Sequence, residues 1–193
     1  MEKNRIEAFS DGVLAIIITI MVLDLRVPES PDVAALKPLL PVFLTYVLSF
    51  IYLGIYWNNH HHLLKAARSV NASMMWANLH LLFWLSLFPF VTGWMGENHF
   101  TTAPTAFYGA LTFCASIAYY LLQNIIRAQY PRDSKLARAL VRDWKGKPSP
   151  AIYATGIGLA FVRPWLSCAV YFSVALMWLV PDRRIERALE SRD

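Results

Sequence analysis

The chain has 193 residues, of which 56% are hydrophobic and only 16% are charged, with a mean hydropathy of +0.38. This composition excludes an ordinary soluble domain and indicates a protein that lies in a membrane. The net charge of +5 comes from the flanks of the apolar stretches, so it indicates attraction to anionic lipid headgroups and not nucleic-acid binding.

The first apolar stretch, residues 6–27, is interrupted by Asp11 near one end and Asp24 near the other. The uncharged part between them is short for a helix in contact with lipid, since such a span needs about 20 apolar residues. A cleaved signal peptide fits poorly, because Glu7 and Asp11 follow the basic start and no small-residue cleavage pattern precedes Pro28. We therefore predict a first membrane helix that is poorly suited to facing lipid.

Five more apolar stretches follow, and the first three are each long enough to cross a membrane with some tilt. The last two are shorter, and Arg163 with Pro164 between them favours a hairpin over one continuous helix. We predict an all-α integral membrane protein with a single domain, residues 1–193, and no linker that divides it. Its six transmembrane helices are predicted at about 6–27, 38–64, 70–96, 100–126, 149–162 and 164–180.

Basic residues fix the predicted orientation. With six spans and a cytoplasmic amino terminus, fifteen lysines and arginines lie inside and only three, Arg26, Lys37 and Arg163, lie outside. An odd number of spans would place the basic tail and the basic segment 127–148 on opposite sides. Both termini are therefore predicted to be cytoplasmic, in a multi-pass protein of a prokaryotic plasma (inner) membrane. The segment 127–148 mixes apolar with basic residues, as amphipathic segments on an inner membrane surface do.

Polar residues within the spans cluster at one level, near the cytoplasmic ends of helices one, two and three. Because such residues are costly in lipid, they indicate a protein interior or a water path. We predict a polar network that locks helix one against helices two and three, and a pH-sensing role for one of its histidines stays open. Its predicted members are Arg5, Phe9, Ser10, Asp11, Asn58, His61, Trp76, Asn78 and His80.

Other sites are not indicated. The three consecutive histidines point about 100° apart on a helix, so they cannot all face one metal ion. Cys114 and Cys168 both fall inside predicted spans, where thiols behave as small hydrophobes. No catalytic triad or phosphate-binding loop is present, so we expect neither an enzyme nor a cofactor. The chain also lacks the Thr-Val-Gly-Tyr-Gly filter, the pore-loop route to potassium selectivity.

The residues from Arg5 to Ile16, with Phe9, Ser10, Asp11 and Gly12 at their centre, resemble the first-helix signature of the transmembrane protein 175 family of potassium channels. The stretch Leu23 to Pro28 and the stretches 56–61 and 76–79 are similar to other parts of that family. The similarity is specific over roughly residues 5–78, and later helices agree mainly in number and hydropathy. Leu14 departs from the family pattern, where phenylalanine is expected.

This resemblance implies a six-helix subunit, four copies of which surround a pore lined by helix one. It implies a constriction of bulky aliphatic side chains in place of a carbonyl filter. The helical geometry agrees with it: at about 100° per residue, Ile16, Thr19, Ile20 and Leu23 share one stripe, and Asp11 lies on the opposite side. Periodicity alone does not single out this face, because almost every residue from 13 to 23 is apolar.

The sequence thus predicts a potassium-permeable, modestly selective cation channel that conducts K⁺ and other monovalent cations as a homotetramer. One subunit supplies only one matching helix, too few to enclose a pore, and cyclic symmetry is the common way to multiply it. The alternatives are a proton-coupled secondary transporter or proton-conducting membrane protein, and a membrane-embedded assembly protein that transports nothing. The transporter reading calls for acids at the membrane midplane and broken helices, and the sequence offers neither clearly.

Overall fold

The computed structural model describes residues 2–131, 133–141 and 144–179. Within these residues all regular structure is helical, and no strand is found. The predicted end of the last helix at Val180 and the basic tail that includes Arg183 lie outside the described residues. The all-helical architecture predicted from the sequence is confirmed.

Eight α-helices and two short 3₁₀ helices follow one another along the described chain. The 3₁₀ helices are Met21–Asp24 and Val33–Leu39. The α-helices are α1 (Lys3–Ile20), α2 (Leu40–Ala66), α3 (Ala72–Ser86), α4 (Phe88–Glu97), α5 (Thr102–Arg127), α6 (Lys135–Val141), α7 (Ser149–Ala160) and α8 (Pro164–Leu179).

The first helix differs in its bounds from the predicted range 6–27. It begins earlier, at Lys3, and its winding tightens to 3₁₀ at Met21 before the chain leaves the helix at Asp24. Lys3 Nζ donates to the carbonyl of Ala67, 3.3 Å away, so α1 begins at the end of the bundle where α2 stops. We call this end the N-terminal end and the opposite one the far end.

The predicted third helix, 70–96, is two helices in the structure. The Asn71 side chain caps the start of α3 by accepting a hydrogen bond from the Met74 amide at 2.9 Å. Pro89, at the start of α4, has no amide hydrogen and crowds the preceding turn, so the helix axis breaks at Leu87. Together α3 and α4 still form one apolar crossing, Ala72–Glu97.

Four helical segments of the described chain are long and apolar enough to cross a membrane: Lys3–Asp24, Val33–Ala66, Ala72–Glu97 and Thr102–Arg127. Helices also form at the two remaining predicted spans, but α7 has 12 residues and α8 has 16. At 1.5 Å per residue, α7 covers only about 18 Å, less than a hydrocarbon core of about 30 Å. Short helices of this kind are tolerated where protein covers their ends.

Tyr52 of α2 lies at the centre of the core that joins the later helices. Its hydroxyl donates to the carbonyl of Tyr171 in α8 at 2.6 Å. A second buried link joins α2, α4 and α5, because the Ser49 hydroxyl lies 2.6 Å from that of Thr92 and 3.0 Å from that of Tyr108. These hydroxyls satisfy one another in the interior, so the bundle is held by directed contacts as well as by packing.

Close approach of α4 to α2 depends on Gly96. A Cβ atom built at this position would lie 2.6 Å from Val42 Cα and 2.6 Å from Thr45 Oγ1. Val42 Cα is backbone and cannot rotate away, so a side chain here would push the two helices apart. By contrast, a Cβ built at Gly54, also in a membrane helix, meets nothing within 4 Å.

We expect Gly96→Ala to destabilise the subunit by about 1–3 kcal/mol, the usual cost of overpacking a filled interior. The matched control is Gly54→Ala, which adds the same methyl group in open space and should be neutral or slightly stabilising. Thermal unfolding of the two purified variants in one detergent measures the difference. Equal unfolding temperatures for both variants and the wild type would contradict this account of the α2–α4 contact.

Candidate functional site

One side of α1 packs against the rest of the bundle and the other side is bare. The covered side consists of residues spaced three or four apart, as one face of an α-helix requires. These are Ile6, Ser10, Leu14, Ile17 and, in the following 3₁₀ turn, Met21, all of them buried. Ser10 is the polar member of this row, and it is completely buried.

Ser10 begins a buried chain of hydrogen bonds that crosses three helices. Its hydroxyl donates to the Ile6 carbonyl within α1 at 2.8 Å, and its oxygen accepts from Asn78 Nδ2 of α3 at 2.9 Å. Asn78 Oδ1 in turn lies 2.6 Å from His60 Nε2 of α2. Because Oδ1 can only accept, the His60 ring must carry its proton on Nε2. All three side chains are at most 1% exposed.

Two further contacts flank this chain nearer the surface. Trp57 Nε1 donates to Asp11 Oδ1 at 3.0 Å, and His61 Nδ1 lies 2.6 Å from Glu7 Oε1. Both join α1 to α2, one turn apart on each helix. Glu7, Ser10 and Asp11 therefore hold the first turns of α1 in one rotational setting against α2 and α3.

Several predicted members of the polar network lie outside these contacts. Arg5 and Phe9 are exposed, Asn58 is half-buried, and Trp76 is 72% exposed. His80 accepts a hydrogen bond from Trp84 Nε1 at 2.9 Å, within α3 itself. Ser10, Asp11, His61 and Asn78 are the predicted residues that the structure brings together.

Three residues of these contacts, Glu7, Trp57 and His60, were not among the predicted members. A signal for His60 exists in the sequence. His60 and Asn78 stand nine residues on either side of Ser69, which lies in the loop of the α2–α3 hairpin. Residues equidistant from the turn of an antiparallel helix pair lie at the same level, so this symmetry points to His60 as the partner of Asn78.

The bare side of α1 carries the four residues of the predicted stripe. Ile16 is 58% exposed, Ile20 45% and Leu23 75%, and Thr19 is exposed between them. Leu23 lies in the 3₁₀ turn, where residues three apart eclipse each other, so it stands directly beyond Ile20. A continuous aliphatic surface that carries one hydroxyl group thus runs along residues 16–23, roughly the last third of the helix.

The Thr19 hydroxyl bonds back to its own helix, 2.9 Å from the Ala15 carbonyl and 3.0 Å from that of Ile16. The hydroxyl proton is therefore directed into the helix, and the oxygen lone pairs point outward. An outward-facing oxygen can accept from water or contact a cation. Among the described residues, no group of three histidine, cysteine or acidic side chains is placed to hold a metal ion.

Comparison with known proteins gives three findings. The family model described as endosomal/lysosomal potassium channel TMEM175 matches residues 5–89. A protein of Chryseobacterium sp. (strain P1-3) named as a potassium channel is 53% identical over 190 residues, covering 98% of this chain and 99% of the relative. Human TMEM175, named as an endosomal/lysosomal proton channel, is 40% identical over 86 residues, covering 38% of this chain and 17% of the relative.

The fold has a match among solved structures as well. The crystal structure described as a lysosomal potassium-selective channel TMEM175 homolog from Chamaesiphon minutus superposes with a TM-score of 0.81 at 26% identity. That match covers 92% of this chain and 96% of the other. The chain is thus a multi-pass integral membrane protein, not an enzyme, and its bacterial relatives imply the plasma membrane. The resemblance drawn from the first helix is confirmed: this chain belongs to the TMEM175 family of ion channels.

Proposed function

We propose that this protein is a potassium-permeable, modestly selective cation channel whose pore is lined by the bare face of α1. The observation that carries the proposal is the division of α1 into a buried face, which the Ser10 hydrogen bonds hold in place, and an exposed aliphatic stripe on the other side. The relative named as a potassium channel at 53% identity supports K⁺ as the permeant ion. No cofactor takes part in this mechanism.

The proposed pore is formed by four subunits around one axis. A subunit exposes a single stripe of this kind, and one helix cannot enclose a water path. Cyclic repetition places four copies of Ile16, Ile20 and Leu23 in successive rings, which would cover side chains that are 45–75% exposed on the isolated subunit. In the tetramer these side chains would face their copies and the pore, so the short apolar segment of α1 would not have to contact lipid.

The proposed selectivity is that of a narrow hydrophobic passage. Four large aliphatic side chains at one level leave little room for a hydrated ion, so ions must shed water to pass. K⁺ holds its water less tightly than Na⁺ does, so dehydration penalises K⁺ less. The outward lone pairs of the Thr19 hydroxyls, one turn beyond Ile16, replace part of the lost hydration.

The proposed orientation places the N-terminal end of the bundle in the cytoplasm, together with the polar contacts of α1. Lys65, Arg68, Lys135, Arg138 and Lys147 are exposed, and each belongs to the basic flanks that the inside-positive rule assigns to that side. Arg26 pairs with Glu97 at 3.2 Å at the far end, on the proposed outer surface. The basic flanks would also bring the protein into contact with anionic lipid headgroups.

An ion-flux assay on the purified protein in liposomes tests the function directly. With a K⁺ gradient and the membrane voltage fixed by an ionophore, a channel gives ohmic flux that does not depend on a proton gradient. Saturable uptake that follows the proton gradient would instead show a coupled carrier, and no flux would show an assembly protein. Repeating the assay with Na⁺ and with H⁺ as the only cation gives the selectivity.

We expect Ile16→Asn to raise cation flux and to lower the preference for K⁺ over Na⁺. The amide keeps comparable bulk but binds water, so the ring wets more readily and the dehydration barrier falls. Each 1.36 kcal/mol removed from that barrier corresponds to about a tenfold rise in rate. Single-channel currents in K⁺ and in Na⁺ measure both effects.

The control for this variant is Ile18→Asn, the same substitution on another face of α1. Ile18 is half-buried, whereas Ile17 is only 4% exposed and would damage the core if changed. Size-exclusion chromatography should show that both variants assemble like the wild type. If Ile18→Asn alters permeation as strongly as Ile16→Asn does, the pore face is assigned wrongly.

Thr19→Ala separates selectivity from conduction. It deletes the outward hydroxyl oxygens without widening the aliphatic rings, and it leaves the helix backbone bonds in place. We expect a channel that still conducts K⁺ but discriminates less well against Na⁺, measured as a smaller shift of reversal potential in mixed ions. Thr19→Ser, which keeps the oxygen, should retain the wild-type reversal potential, and equal behaviour of the two variants would refute this role.

Asn78→Ala tests the buried anchor of α1. It leaves both the His60 ring proton and the Ser10 oxygen without a partner, which should lower the free energy of unfolding by about 1–3 kcal/mol. Asn98→Ala is the control, because the Asn98 side chain donates to the Trp94 carbonyl of its own helix, at 2.9 Å, at the exposed far end. Thermal unfolding measures the loss of stability in both variants. An Asn78→Ala protein as stable as the control would contradict the anchoring role.

A further inference from the structure

A narrow slot opens between α2, α5, α7 and α8, on the side of α2 that faces away from α1. Together with the open space at its mouth it measures about 490 Å³, and most of the surface that faces it is apolar. Tyr56 and Asn59 of α2 and Ser116 and Tyr120 of α5 form its walls. Tyr120 is 42% exposed, so the slot opens on the outer surface of the bundle, where lipid lies.

The slot lies in the half of the bundle that contains the N-terminal end. Gln123 of α5 lines it, only four residues before α5 ends at Arg127. The Gln123 side chain donates to the Leu140 carbonyl of α6 at 2.8 Å, which closes the slot against the basic segment. The slot therefore meets the boundary between the apolar helices and that segment.

The segment before α7 forms the floor of the slot at Gly146, and it is fixed to the bundle there. Lys145 is 5% exposed, and its Nζ donates to the carbonyl of Met177 near the end of α8 at 2.9 Å. The Ser149 hydroxyl accepts from Trp178 Nε1 at 3.1 Å and donates to the Lys145 carbonyl at 2.7 Å. The floor is therefore a built surface and not a loose loop.

Positive charge and an interfacial aromatic stand beside this floor. Lys147 is exposed directly after Gly146, and Trp144 is 64% exposed two residues before it. Residues 127–150 carry seven basic and two acidic side chains. Exposed tryptophan and lysine side by side are typical of the headgroup level of a bilayer, and basic pockets between membrane helices suit anionic headgroups.

We propose that this slot is a binding site for one anionic phospholipid, with an acyl chain in the slot and the phosphate beside Lys147. The narrow apolar slot suits a chain-shaped ligand, its mouth opens towards lipid, and the charge at its floor is complementary to a phosphate group. The site lies apart from the bare face of α1, so it goes beyond the proposed channel function and does not depend on it.

The test is lipid titration of the purified, delipidated full chain, followed by native mass spectrometry. The probes are phosphatidylglycerol and phosphatidylcholine with identical acyl chains, and soluble glycerol phosphate as a headgroup without a chain. We expect one phosphatidylglycerol per subunit to bind in preference to phosphatidylcholine, and glycerol phosphate not to compete. Equal binding of the two lipids, or full competition by glycerol phosphate, would overturn the proposal.

Three variants locate the site. Lys147→Gln should weaken phosphatidylglycerol binding about fivefold, the loss expected for one basic side chain near an anionic surface, and leave phosphatidylcholine unaffected. Lys65→Gln removes the same charge at the end of α2, beside the start of α1, and should change the binding of neither lipid. Ser116→Leu fills the slot and should weaken the binding of both lipids. The substitution breaks no contact between helices, because the Ser116 hydroxyl bonds within α5, to the Phe113 carbonyl.

Tyr120→Ala provides a second change to the slot if Ser116→Leu lowers the unfolding temperature of the lipid-free protein. It removes one wall at the exposed mouth, where truncation is tolerated, and should also weaken both lipids. A Lys65→Gln effect as large as that of Lys147→Gln would show diffuse attraction to the basic surface. Wild-type binding by the folded slot variants would show that the chain does not occupy the slot.

Discussion

The rotation of α1 about its own axis is the constraint on which the rest of this structure depends. From Val13 to Leu23 nearly every residue is apolar, so the hydrophobic effect does not distinguish one face from another, least of all in lipid. The buried hydrogen bond between Ser10 and Asn78 does distinguish them, because any rotation that breaks it leaves unpaired polar groups in the interior. A polar contact in the first turns therefore decides which aliphatic residues stay bare farther along the helix.

At the far end of α1 the helix changes from α-helical to 3₁₀ geometry, and this change keeps the exposed stripe on the same side. At Met21 the helix tightens to 3₁₀, which rotates each residue by about 120° and not by about 100°. Leu23 then stands in line with Ile20, so the stripe runs straight where an α-helical turn would displace it. Asp24 follows with its carboxylate 3.2 Å from where a Cβ of Gly93 would lie, so a side chain at that position of α4 would crowd the carboxylate. Arg26 and Glu97 close this end at the surface.

Much of this architecture could be predicted from the sequence, because charges end the apolar stretches and a membrane permits only helices between them. The break at Leu87 was missed because Pro89 lies within a span whose hydropathy is unbroken. The predicted network includes Ser10, Asp11, His61 and Asn78, which the structure brings together, but it lacks the buried His60. Adjacent histidines differ only in the direction that each side chain faces, and the hydropathy of this polar stretch does not give that direction. The pore face and the tetramer stay proposals, since both concern contacts between copies of the chain.

Helix α2 links the two functional surfaces proposed for this protein. Trp57, His60 and His61 face α1 and α3, while Tyr56 and Asn59, in the same turn and a half, face the lipid-side slot. The carbonyl of Asn59 also accepts from Tyr119 of α5 at 3.2 Å, so this part of α2 is held from both sides. A shift of α2 that widens the slot would press α2 towards α1 and α3, against the hydrogen bonds that set the rotation of α1. The same turn and a half of α2 would therefore link occupancy of the proposed lipid site with the rotation of α1, and a linkage of this kind acts in both directions.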